Sequence, residues 1–123
     1  IIMKGSIRMK KFLEKKLVRV RCKKNYAEAH CHVIIGEVLD ENEAYVVIKG
    51  KAFHFNKLDA NTRRQHIMVG AVCVRIIPWH NIEVIHWIGP RCDYNADFLF
   101  DGDHNLVLDD KKHTVISFAR DSE

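Results

Sequence analysis

Proline and glycine are scarce in this chain of 123 residues, two and six respectively, and no low-complexity tract occurs, so nothing resembles an interdomain linker. The four cysteines, Cys22, Cys31, Cys73 and Cys92, include no CxxC pair, which signals neither a zinc ribbon nor a disulfide framework. They read as small buried hydrophobes in a reducing compartment. No apolar run is long enough to span a bilayer, and the opening Ile-Ile-Met-Lys lacks the apolar core of a secretory signal. No membrane association and a cytoplasmic location are therefore expected. Ile1 is not an initiating residue, so residues 1–8 are read as a leader outside the fold, non-native or disordered. There is no glycine-rich phosphate loop and no local motif around a serine or cysteine nucleophile, so nothing positive argues for an enzyme.

What the chain does have is apolar content and an uneven distribution of charge. Hydrophobic residues make up 47% of it, enough for one real core and, at this length, for one domain with an appended arm. The net charge of +4 conceals a basic head and an acidic tail. Residues 1–24 carry Lys4, Arg8, Lys10, Lys11, Lys15, Lys16, Arg19, Arg21, Lys23 and Lys24 against Glu14 alone, whereas residues 92–123 hold eight acids and three bases. Such a head can attract phosphates, or the tail can neutralise it within a subunit or between neighbours.

The periodicity is mostly that of strands. Met9, Phe12, Leu13 and Leu17 predict a short amphipathic helix over residues 7–17, with Gly5-Ser6 as its cap. From Val18 the period becomes two, and Val20 and Cys22 oppose Arg19, Arg21 and Lys23, which predicts a strand with a basic outer face. Two long strands follow, residues 27–39 and 44–55, joined by the turn Asp40-Glu41-Asn42-Glu43, with Gly50 marking a bulge or bend. Residues 56–65 are polar and read as a loop holding Arg63-Arg64. Residues 70–88 read as two strands around the corner Pro78-Trp79-His80-Asn81, because proline has no N–H to donate to a ladder. Beyond Gly89-Pro90, three apolar runs at Phe98–Phe100, Leu106–Leu108 and Thr114–Phe118 predict a β-meander, added to the first unit or laid across a neighbouring subunit. The aspartates between them read as turn residues, since no calcium-loop spacing is present.

Gly36 followed by the acidic turn Asp40 to Glu43, the apolar run Tyr45-Val46-Val47-Ile48 and the corner between Ile77 and Ile82 together resemble the Sm-like proteins, a branch of the SH3-like small β-barrels. The resemblance covers roughly residues 9–88. It implies a mostly β fold, a small barrel over 9–88 with a short N-terminal helix; the meander read over 89–123 lies outside the resemblance. It also implies a homo-oligomer closed by edge strands, and single-stranded RNA as a ligand. Where RNA-binding members carry an asparagine in the third strand and a basic residue at the last corner, this chain has Val46 and Pro78. Asn42, His80 and Asn81 remain as polar contacts and Trp79 as a surface for stacking a base. Trp87, inside the strand alternation, is expected in the core or a subunit interface.

His30-Cys31-His32 with Glu37 is similar to part of a cupin metal motif, and His54 or His86 would have to supply a third ring. The alternative is a pair of histidines on a solvated strand face, and no metal or other cofactor is assigned. The expected function is a non-enzymatic oligomeric binding protein that presents Lys10, Lys11, Lys15, Lys16, Arg19, Arg21, Lys23 and Lys24 to RNA, with Asn42, Trp79, His80 and Asn81 at the corner. The alternatives are a protein or small-ligand interaction module that has lost the RNA pocket, and a metal-binding cupin-like protein.

Overall fold

The computed structural model describes residues 11–25, 30–56 and 67–118. The expected leader over 1–8, Lys10 and most of the 56–65 loop lie outside the described residues. Among the described residues nine strands are present: β1 Leu17–Cys22, β2 Cys31–Glu41, β3 Tyr45–Phe55, β4 Ile67–Val69, β5 Cys73–Pro78, β6 Ile82–Trp87, β7 Phe98–Phe100, β8 Leu106–Leu108 and β9 Val115–Ser117. A 3-10 turn, Trp79–Asn81, joins β5 to β6. The mostly β fold, the corner and the meander are as the sequence predicts. β4, a three-residue strand paired to Phe53–Phe55 of β3, is not.

The first sheet runs β4-β3-β2-β1-β6, and β5 also pairs with β3. Its ladders do not close into a barrel: β5 bonds to β3 and β6 to β1, and no ladder joins β5 to β6 among the described residues. Pro78 and the 3-10 turn split the two strands apart at the corner, which is the physical reason they do not pair as a hairpin.

Strands β2 and β3 are the spine of the molecule because both of their faces are buried. On one face Ile34 and Val38 of β2 meet Val46, Ile48 and Ala52 of β3, together with Val18, Val20 and Ile77. On the other, Val33 and Ile35 meet Phe53 and Phe55, and this second core is completed by Leu106, Leu108 and Ile116 of the meander. The strict two-residue alternation sends neighbouring residues into different cores. The meander is therefore laid on its own chain's sheet. Asp101 and Asp110 form its turns as expected: Asp101 accepts from the amides of Asp103 and Asn105, and Asp110 from the amide and hydroxyl of Thr114.

Two glycines set the closeness of the spine. Gly36 and Gly50 are directly opposed, and a Cβ on Gly36 would lie 2.2 Å from the Lys49 carbonyl oxygen, while one on Gly50 would lie 2.3 Å from that of Ile35. At Gly50 the outer partner of β3 changes from β4 to β5, so this residue marks a bend, as its place in the sequence suggests. The register shift itself falls one turn away, between Val38 and Asp40.

The predicted N-terminal helix is absent from residues 11–16. Lys15 adopts φ +67° there, which interrupts a right-handed helix. The segment spends its hydrogen bonds on the end of β2 instead: Lys15 N–H donates to the Val38 carbonyl at 2.7 Å, Val38 N–H to the Lys16 carbonyl at 2.9 Å, and Leu13 N–H to the buried Glu41 carboxylate at 2.7 Å. Leu13 packs on the first core, and Leu17 opens β1.

Replacing Gly50 by alanine is expected to lower stability by about 2–3 kcal/mol, because backbone rather than a flexible side chain must move to admit the methyl group. Denaturant unfolding checks this; a change below about 0.5 kcal/mol would show that the strands can part without cost.

Candidate nucleic-acid interface

The corner that the sequence nominates is occupied with holding itself together. The Asn42 side-chain oxygen accepts from the amides of Ala44 at 2.8 Å and Tyr45 at 2.9 Å, capping the β2–β3 turn. Its carbonyl oxygen accepts from Trp79 Nε1 at 2.6 Å, and Trp79 packs against the first core. The Asn42 side-chain oxygen and the Trp79 N–H are thus both spent within the protein. His80 and Asn81 are exposed beside them, and the Asn81 carbonyl accepts from the Lys23 amide at 2.8 Å, so Lys23, Lys24, His80 and Asn81 do gather at one end of β1.

The expected basic face of β1 is not displayed. Arg19 is only 7% exposed. It points into the second core face, where its guanidinium donates to the Val115 carbonyl at 3.2 Å, contacts His86 Nδ1 at 3.1 Å and lies 5.6 Å from the Phe118 ring centroid. The meander covers that face of the sheet and turns an apparent surface cation into a bracket between the two sheets. Arg21 is paired with Glu83 at 2.7 Å. Lys11 is paired with Asp40 at 2.6 Å, and that hydrogen bond holds the Asp40 carboxyl below the usual carboxylate range.

The opposite end of β1 holds an arrangement that the sequence does not announce. Trp87 is 57% exposed and Phe12 59% exposed, and their rings meet edge to face at 6.2 Å and 87°. The Lys16 ammonium lies 4.5 Å from the Phe12 centroid and 5.3 Å from that of Trp87, and it also donates to the Phe12 carbonyl. Lys15, Lys16, Leu17, Glu37, Trp87, Gly89 and Pro90 border an open groove of about 430 Å³. The chain makes this groove by leaving β6 sharply. Ile88 N–H still donates to the Leu17 carbonyl at 3.1 Å, but Gly89 at φ +95° turns the backbone away, and the indole stands exposed at the end of its strand with only Phe12 and Lys16 against it among the described residues. Trp87 thus belongs to the surface rather than to the core. The usable signal in the sequence is an aromatic residue two positions before the Gly89-Pro90 that ends a strand.

The metal constellation is not assembled. His30 is exposed before β2 begins, Glu37 lies five positions beyond His32 and on the opposite face of the strand, and His86 is engaged with Arg19. Among the described residues no three histidine, cysteine or acidic side chains converge. The four cysteines are free thiols; Cys31 is buried, but Cys73 on the edge strand β5 is exposed, contrary to the expectation of a buried thiol. Burial pushes the Cys92 thiol up to about 11. No helix among the described residues is long and apolar enough to cross a membrane.

His32 instead stacks on His54, its cross-strand partner, with centroids 4.0 Å apart, and its Nε2 is buried without a hydrogen-bond partner. Burial, then the neighbouring His54 and Arg75, lower its pKa to about 4. A depressed histidine binds its proton more readily in the unfolded chain. Its contribution is therefore complete above about pH 6.5 and is lost as the pH falls towards 4. Wild-type protein should lose more stability than His32→Phe between pH 7 and pH 4.5 in denaturant melts. Parallel pH profiles for the two proteins would contradict this.

Compared with known proteins, the chain matches no family model, no curated protein and no solved structure.

Proposed function

We propose that this chain is a non-enzymatic binding protein of the Sm-like type that takes single-stranded RNA in the groove at Trp87. The observation that carries the reading is the exposed Phe12–Trp87 pair with Lys15 and Lys16 beside it. Large aromatic rings turned to solvent cost free energy unless something covers them, and a base has a π-face that stacks on any of them. Lysines at the rim supply the charge for phosphates. At about 430 Å³ the groove is in the size range of small-ligand sites and suits one nucleotide rather than a folded partner.

The strand order β6-β1-β2-β3-β5, with a 3-10 corner linking its two end strands β5 and β6, supports the Sm-like reading. Self-association is part of the proposal. Both β5 and β6 leave one edge unpaired among the described residues, and β5 exposes Val74 at 55% and Ile76 at 65%. The same apolar edge favours a second reading, a protein-interaction module without RNA, in which Val74 and Ile76 meet a different chain.

Fluorescence anisotropy with labelled oligo-U and oligo-A distinguishes them. Binding should appear at low salt and weaken steeply as salt rises, and Trp87→Ala should weaken it roughly 10-fold or more, whereas Trp79→Phe should leave it nearly unchanged. No binding of either oligomer at low salt would overturn the RNA reading and leave the interaction module.

A further inference from the structure

The outer edge of β5 is complementary to itself. Trp79 N–H donates to the Ala44 carbonyl at 3.1 Å, one step beyond the Tyr45–Pro78 partners of the β3–β5 ladder. In an antiparallel ladder the main-chain groups of successive residues point to alternate sides. Cys73, Arg75 and Ile77 therefore spend theirs on β3, and Val74 and Ile76 aim theirs outwards. Among the described residues no strand receives them.

The side chains follow the same alternation. Val74 stands beside Lys49 and Ile76 beside Val47, on the face of the sheet that carries the second core, and both are more than half exposed. Edge strands that stay single commonly carry an exposed lysine, a proline or a bulge. β5 holds no lysine, pairs with β3 without a register shift and has its proline last. Its one charged side chain, Arg75, donates back to its own chain, to the Gly50 carbonyl at 2.7 Å and the Ala71 carbonyl at 3.4 Å.

A second copy related by a two-fold axis normal to the sheet presents the same edge antiparallel, and one residue must then face itself across the axis. With the axis at Arg75, Val74 of each copy lies opposite Ile76 of the other, both at hydrogen-bonded positions. Every outward amide of these residues then finds a carbonyl, and large apolar side chains meet in pairs. An axis at Ile76 would set Val74 against Pro78, which has no N–H, and an axis at Val74 would set Ile76 against Val72, outside the strand. The Arg75 guanidiniums, which approach at the axis, are each drawn towards β3 by Gly50.

We propose that the chain forms a two-fold dimer in which β5 pairs antiparallel with β5 of a second copy, centred on Arg75, so that the two first sheets become one. This rests on the self-association proposed above and gives it a partner edge and a register. β6 lies at the far end of the strand order, so the groove at Trp87 stays open in both copies. An edge this short buries less than the roughly 1,200 Å2 of a standard interface, and the dimer is accordingly a concentration-dependent one.

Sedimentation velocity of the full chain should show monomer passing to dimer from low to high micromolar concentration. Raised salt should keep or strengthen the dimer, because it screens the two arginines, while it weakens RNA binding. Val74→Pro removes an outward amide and no bond to β3, so it should raise the dimer Kd about 10-fold or more. Ile76→Lys, a guard on the same edge, should do likewise. With Cys73→Ser in the background, oxidation of mixed Val74→Cys and Ile76→Cys chains should link one to the other, and either variant alone should not link to itself, since its two Cα atoms lie beyond disulfide reach. A chain that stays monomeric, one that grows beyond a dimer, or a dimer that survives both edge substitutions or fails to cross-link in the mixture overturns the β5 pairing and leaves RNA binding standing. Dimerisation as described with no oligonucleotide bound supports the pairing and overturns only the RNA reading.

Discussion

The close contact of Gly36 with Gly50 is the constraint on which the rest of the molecule depends. Only where both residues lack a Cβ can β2 and β3 approach so nearly, with a Cβ on either glycine falling within 2.3 Å of a facing carbonyl oxygen. From this contact the strands diverge into two roles. Beyond Gly50 towards Phe55, β3 pairs with β4 and carries the aromatic floor of the second core; towards Tyr45 it pairs with β5 and helps enclose the first, while β2 keeps β1 as its other neighbour. A spine buried on both faces explains why so short a chain can hold two cores: the meander needs only nine strand residues to cover one side.

Covering that side also decides what the basic head can do. Arg19 would be a surface cation on an isolated sheet, and with the meander in place it binds Val115 and Phe118. Arg21 and Lys11 are neutralised by Glu83 and Asp40. What is left in two separate places is Lys15 and Lys16 beside Trp87, and Lys23 and Lys24 beside His80 and Asn81. The six residues of β1 hold these places roughly 20 Å apart, so the basic residues form two separate places and not a continuous basic surface; under the proposed function one extended strand of nucleic acid would touch both. Of the two, only the first offers an exposed stacking surface.

The strands were legible because alternation is a local property. Val18 to Lys23 shows it, Val33 to Ile35 and Val46 to Ile48 read as apolar β-branched runs of strands buried on both faces, and Asp101, Asp110, Pro78 and Gly50 mark turns and bends by side-chain chemistry that acts within a few residues. The failures all involve distant partners. Arg19 reaches a carbonyl 96 residues away, and no pattern within β1 could reveal that the meander would lie over it. The helical spacing of Phe12, Leu13 and Leu17 is real, but Glu41 and Val38 capture the backbone donors that a helix would use. Trp87 keeps the alternation of β6, and alternation does not say where the covering of a strand stops. Asn42 in the Asp40–Glu43 turn and Trp79 at the Pro78–Asn81 corner read as separate candidates for binding a base; that they bond to each other follows only from the fold.

The central claim is that nucleic acid meets the protein at the Phe12–Trp87 end of β1 and not at the Trp79 corner. Ultraviolet cross-linking of a bound 4-thiouridine oligonucleotide, followed by peptide mapping, tests it most directly. Attachment at Phe12 or Trp87 is the predicted result. Attachment confined to residues 79–81 or to the meander strands would contradict it.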